Sequence, residues 1–302
     1  MIRVDTAPAD DAPDASARLR AGLQYEQAGM WAKARAVYER VLAEHGGHAL
    51  GVEAKIRLAR VHRAQAQWAE ALLAARAAAE QARALADPDL WAEAVNVEVG
   101  VLLLRGEHAE AERVAADALT HTLGPRIRGL LLHNRGSAAA QRRQFAAAAT
   151  LFAEAVASFR EAGYELGIAF ALNSTSAAAH DDGRPAEALE LAREAFGIAQ
   201  RILAYDQCVL AVENQADPLV SLGRFAEAET LASEALGHFS AIGDEYRRVE
   251  CLEILGRVFA ARPDASGRAG ADHCYRRGLE IARAIGAATL VTRMERRLKE
   301  VA

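Results

Sequence analysis

Apolar and small residues return along this chain at helical spacing, in blocks that repeat about every 40 residues. Each block holds an alanine, an apolar residue four positions on, and another three beyond that. The pattern falls at Ala34/Tyr38/Val41, Ala71/Ala75/Ala78, Ala111/Ala115/Ala118 and Ala148/Phe152/Ala155. It returns at Ala188/Ala192/Ala195, Ala228/Ala232/Ala235 and Ala271/Tyr275/Gly278. Residues three and four apart share a helix face, so each triplet predicts one buried stripe. The leading alanines are 37, 40, 37, 40, 40 and 43 residues apart.

Other marks keep fixed offsets from the leading alanine. Five positions before it stands Gly29, Gly106, Gly183 or Gly223, with Ala66 and Arg143 in that place in two further copies. Three before it stands Trp31, Trp68, His108, Phe145, Pro185 or Phe225. About twelve before it is a small residue: Gly22, Ala59, Gly136, Ser176, Ala216 or Gly256. Each copy therefore predicts a helix A, a tight turn that favours glycine, and a helix B. Glu70, Glu110, Glu187 and Glu227 fall in the first turn of helix B, where negative charge suits the helix dipole. The seventh copy predicts a longer, looser turn over residues 261–272 (ARPDASGRAGAD).

The segments GRFAEAETLASEAL, GRPAEALELAREAF and GEHAEAERVAADAL resemble the second half of tetratricopeptide repeats, in the longer variety of about 40 residues. HEAT and armadillo repeats share the period but not the glycine-then-alanine turn. The resemblance covers residues 15 to 286 and implies an all-α, right-handed superhelical solenoid of about seven helix-turn-helix units. Residues 287–302 then read as a C-terminal capping helix, which a solenoid needs over its last apolar face. Residues 1–14, rich in Pro, Asp and Ala, read as a disordered acidic tail. The resemblance also implies that the A helices line a concave groove that takes a peptide or a partner protein segment.

Four asparagines recur in helix A: Asn96, Asn134, Asn173 and Asn214. An amide offers both donor and acceptor, so such a column suits the backbone of an extended ligand, and the resemblance implies that use. The same amides would equally serve to stitch neighbouring repeats together. His133, beside Asn134, is expected to face the groove. Pro218 lies inside a predicted A helix and removes the donor for the carbonyl of Asn214, which draws attention to the adjoining Asp217. Arg57, Arg60 and Arg63 form a basic stripe on one helix face. That stripe could hold an acidic ligand segment, the chain's own acidic tail, or simply nearby Glu side chains.

Composition narrows the function classes. The net charge is -5 with no dominant Lys/Arg tract, so nucleic acid is not an expected ligand. No apolar run approaches the length of a membrane span, and the first residues do not read as a signal peptide. Three scattered cysteines without CxxC spacing fit a reducing compartment, and a cytoplasmic location is expected. Phosphate-loop, nucleophile-elbow and HExxH motifs are absent, and His45 and His48 in HGGH lack metal-ligating companions. The expectation is a non-catalytic adaptor without cofactor, or a sensor whose ligand controls a separate effector. Alanine-rich end repeats also allow a homodimer.

Overall fold

A computed structural model of the chain describes residues 14–27, 30–262 and 265–302. Residues 1–13 of the acidic tail and the turn glycine Gly29 lie outside them. Every element among the described residues is helical. Helices of type A are α1 (Ala15–Gln27), α3 (Ala49–Ala64), α5 (Pro88–Leu104), α7 (Pro125–Gln141), α9 (Glu165–Asp181), α11 (Tyr205–Ser221) and α13 (Glu245–Ala260). Each is followed by its type B partner: α2 (Trp31–His45), α4 (Trp68–Ala84), α6 (His108–Ala118), α8 (Phe145–Glu161), α10 (Pro185–Arg201), α12 (Phe225–Ala241) and α14 (Ala265–Ala284). A fifteenth helix, α15 (Ala288–Val301), buries Leu290 and Met294 and packs on α14. The fold is thus an all-α array of seven helix pairs with a closing helix.

The chain divides into two compact units, Met1–Ala138 and Ala139–Ala302. In the first unit α1 packs on α3 and α3 on α5; in the second, α9 packs on α11, α11 on α13 and α13 on α15. Among the described residues, neighbouring B helices within either unit do not approach in this way. The A helices therefore occupy the tighter side of each unit.

All seven leading alanines are fully buried. They sit where helix B crosses helix A, and a methyl group lets the two backbones close up. Where helix A offers glycine, helix B fills the space with a ring. A Cβ on Gly22 would lie 2.3 Å from the Tyr38 ring, and one on Gly256 would lie 2.3 Å from the Tyr275 ring. At Ser176 the small residue instead donates from Oγ to the carbonyl of the leading Ala188 at 2.7 Å.

The A-to-B turns follow one scheme. Gly106, Gly183 and Gly223 adopt φ near +75°, and so do Ala66 (φ 57) and Arg143 (φ 59) within the same left-handed region. The turn is held by paired backbone bonds: Gly223 N–H to Val220 O at 2.9 Å and Arg224 N–H to Leu219 O at 2.8 Å, a Schellman closure. Ala66 and Arg143 keep the same closure, at a cost of roughly 1–2 kcal/mol for a Cβ in that region.

One sequence expectation needs correction here. The loose turn over 261–272 is much shorter, because α14 begins at Ala265. Gly267 and Gly270 pack against Phe259 there, where a Cβ at Gly270 would come within 2.8 Å of the ring. Close packing overrides the poor helix propensity of a Gly/Ser segment. His180 and Asp181 form the last turn of α9.

Candidate functional site

The A-helix face of the second unit carries a cavity of about 260 Å³ between α9 and α11. From α9 it is lined by Ala177, His180 and Asp181; from α11 by Leu210, Glu213, Asn214, Asp217 and Pro218. The spacing explains the convergence. Positions 177, 180 and 181, and positions 210, 213, 214 and 217, each run along one helix face. Pro218 is buried and α11 continues through it. Asp217 and Glu213 both face Arg257 of α13, at 3.4 Å and 2.9 Å. His180 Nε2 and Ser221 Oγ are 2.8 Å apart. The rim is therefore polar and mostly acidic, with Ala177 exposed at its floor edge.

The asparagines are spent mainly on their neighbours. In the first unit Asn134 Nδ2 donates to Asn96 Oδ1 at 2.7 Å, joining α7 to α5. In the second unit Asn214 Nδ2 donates to Asn173 O at 2.9 Å, and Asn173 Nδ2 donates to Gln207 O and Oε1 at 3.2 and 3.1 Å. Asn173 is 0% exposed, so it joins repeats and cannot touch a ligand in this conformation. Asn96, Asn134 and Asn214 remain half-buried.

His133 does not face the groove as expected. It is 3% exposed, and burial lowers its pKa to about 4, against a weaker upward pull from the Asn134 hydrogen bond. A neutral imidazole in the interior is a packing residue. The part of α7 that carries His133 is turned inward, while Asn134, one step further round the helix, stays half-buried.

The basic stripe is largely paired. Arg57 reaches Glu53 at 3.2 Å within α3, and Arg60 reaches Glu93 of α5 at 3.1 Å. Glu93 also receives Arg126 of α7 at 3.0 Å. Arg63 has no acidic partner among the described residues. The nearby Lys55 donates to Gln81 Oε1 at 2.8 Å.

A second cavity, of about 290 Å³, opens on the second unit between α10, the start of α11 and α12. Phe196, Leu203, Tyr205, Leu231 and Phe239 line it. The repeat pattern did not point to it, since it marks crossings and not the spaces between successive B helices. Among the described residues no group of three or more His, Cys, Asp or Glu is placed to hold a metal ion. Cys208, Cys251 and Cys274 are free and buried, and burial raises the pKa of each thiol. None of the described helices is long and apolar enough to cross a membrane.

No family model and no curated protein matches this sequence. Solved structures do share its fold. The quorum sensor NprR from B. thuringiensis, in its apo form, superposes with a TM-score of 0.66 at 12% identity, over 87% of this chain and 75% of that one. A Rap protein complexed with Competence and Sporulation Factor gives 0.60 at 14% identity, over 95% and 97%. A STAND signal-transduction ATPase with a tetratricopeptide repeat sensor, from Pyrococcus horikoshii, gives 0.64 at 14% identity. That match covers 93% of this chain, which spans only 44% of the ATPase. With its seven helix pairs, buried crossing alanines and closing helix, this chain is a protein of the tetratricopeptide-repeat fold.

Proposed function

We propose that this chain is a non-catalytic binding protein that takes a peptide or a segment of another protein on its A-helix faces. The observation that carries the reading is the cavity between α9 and α11. It gathers Asn214, Asp217, His180 and Asp181 around an apolar floor on the face where A helices pack side by side. A concave site with a few convergent polar groups is the usual form of a recognition site. Arg257 meets Glu213 and Asp217, which leaves Asp181 as the carboxylate that favours a basic or amine-bearing group on the ligand. The Rap structure was solved as a complex and NprR is a quorum sensor, and the shared fold supports a sensing version of the same reading. Occupancy would then control a separate effector.

Site-specific photo-cross-linking tests this reading. A photoreactive residue at Ala177, on the cavity edge, should capture a discrete partner from the native lysate. The same residue at Leu73, on the exposed side of the B helix α4, should not. Capture from position 73 alone would reverse the assignment of faces.

A further inference from the structure

Three guanidinium groups stand in line on α3, and two have their charge met. Arg57 is held by Glu53 and Arg60 by Glu93. Arg63 is the third, and it has no acidic partner among the described residues. The carboxylate it feels most is that of Glu26 on α1, and Glu26 already accepts a hydrogen bond from the Tyr38 hydroxyl. Arg63 lies across the next A helix instead. Its Nη1 sits 2.7 Å from the point a Cβ would occupy on Gly100 of α5. Any other residue at position 100 would displace it.

Such an arrangement is unfavourable for the empty protein. Burial and the neighbouring Arg60 both lower the Arg63 pKa, although a guanidinium keeps its proton. A half-buried cation without a paired carboxylate recovers only part of its desolvation cost, here from the more distant Glu26. One helical turn from Gly100, on the same face of α5, stands Asn96. Its Oδ1 accepts from Asn134, and its Nδ2 has no partner among the described residues. A charged fork over Gly100 and a neutral donor one turn away on the same helix thus lie on one face of α5.

We infer that Arg63, laid over Gly100 and flanked by Asn96, is the binding site for a single carboxylate of the ligand. A planar carboxylate matches the guanidinium fork with two parallel hydrogen bonds. One unmatched positive charge suits a monoanion; a dianionic phosphate would leave surplus negative charge beside Glu26 and Glu93. The carboxylate has two sources, an Asp or Glu side chain or the free C-terminus of a peptide. This inference rests on the proposal that A faces bind peptides, and it assigns a role to the first unit, away from the acidic cavity of the second.

The test uses the full chain and three pools of random eight-residue peptides. The first has free C-termini, the second is C-terminally amidated, and the third is amidated with Asn and Gln in place of Asp and Glu. Wild type should enrich peptides from at least one carboxylate-bearing pool about tenfold or more over the third. Arg63→Gln should abolish that preference while its melting temperature stays equal or rises, since a buried unpaired charge has been removed. Arg63→Lys should keep part of the preference. Enrichment from the first pool only identifies the C-terminus as the source; enrichment from both identifies side chains. Equal enrichment from all three pools, or a preference that survives in Arg63→Gln, overturns the carboxylate site and leaves peptide binding intact. No enrichment from any pool overturns both.

Discussion

Asn214 donates from its amide to the backbone carbonyl of Asn173, across the seam between α11 and α9. The bond shows how a polar column is used inside a helical array. Asn173 in turn donates to Gln207, also on α11, so the α9–α11 seam is bonded in both directions. Replacing Asn173 with Ala should therefore cost about 1–3 kcal/mol, because two acceptors on Gln207 lose their donor and a void opens at a fully buried position. Asn96→Ala should cost less, since Asn96 is half-buried and water can reach it. Urea denaturation of the two variants gives the comparison, and equal losses would show that burial does not set the difference.

Glycine against a ring is the tightest crossing. Gly→Ala inside a helix usually gains up to about 1 kcal/mol from propensity. At Gly22 the added methyl would fall 2.3 Å from the Tyr38 ring, and overpacking of that kind costs about 1–3 kcal/mol. Gly22→Ala should thus destabilise, and Gly22→Ala with Tyr38→Leu should recover part of the loss. Ala228→Leu, at a fully buried leading alanine, should cost a similar amount. A neutral result in chemical denaturation at both sites would contradict the crossing geometry.

Leu203 breaks two local rules together. It holds φ 57 in the turn between α10 and α11, and its side chain is 68% exposed at the rim of the apolar cavity. The corresponding turns use Gly163, Gly243 and Gly286. Leu203→Gly should raise stability by up to about 1 kcal/mol, as relief of left-handed strain exceeds the added freedom of the unfolded chain. A clear loss of stability would mean that Leu203 packs usefully at the rim.

Glu250 on α13 supplies a pH dependence. Burial raises its pKa to about 7, and Arg293 of α15, at 3.9 Å, and Arg247 only partly offset this, while Asp206 and Glu213 add to it. The folded state thus holds this proton more tightly than the unfolded chain does. Its contribution is fully present below about pH 4.5 and is lost as pH rises through about 7. Relative to wild type, Glu250→Gln should gain stability between pH 5 and pH 8, by up to about 3 kcal/mol. A difference that does not change with pH would show that Glu250 is solvated.

The repeat was open to reading because its marks are steric. Leading alanines, small partners and turn residues each answer a contact made within one helix pair, at a fixed sequence offset. The second turn, from B to A, was missed. Its left-handed positions are Ala86, Gly163, Leu203, Gly243 and Gly286, and the recurring Ile-Gly and Ala-Gly before a new helix carried that signal. The polar face was harder. Whether an asparagine meets a ligand or the next repeat depends on side chains about 40 residues away, which a local offset does not encode. His133 shows the same limit, since whether it turns inward is set by the helices packed around it and not by its place beside Asn134. Asp217 and Pro218, by contrast, did fall together with Asn214 around one cavity.

The most direct measurement is quantitative pull-down from native lysate with wild type, Ala177→Arg and Leu73→Arg, after each matches wild type in its melting curve. Ala177→Arg fills the α9/α11 cavity without touching the asparagine bonds, whereas Leu73→Arg alters an exposed position on a B helix. Binding on the A face predicts a partner captured by wild type and by Leu73→Arg, and reduced at least about tenfold with Ala177→Arg, a difference of some 1.4 kcal/mol. A partner retained by Ala177→Arg and lost with Leu73→Arg would contradict the account.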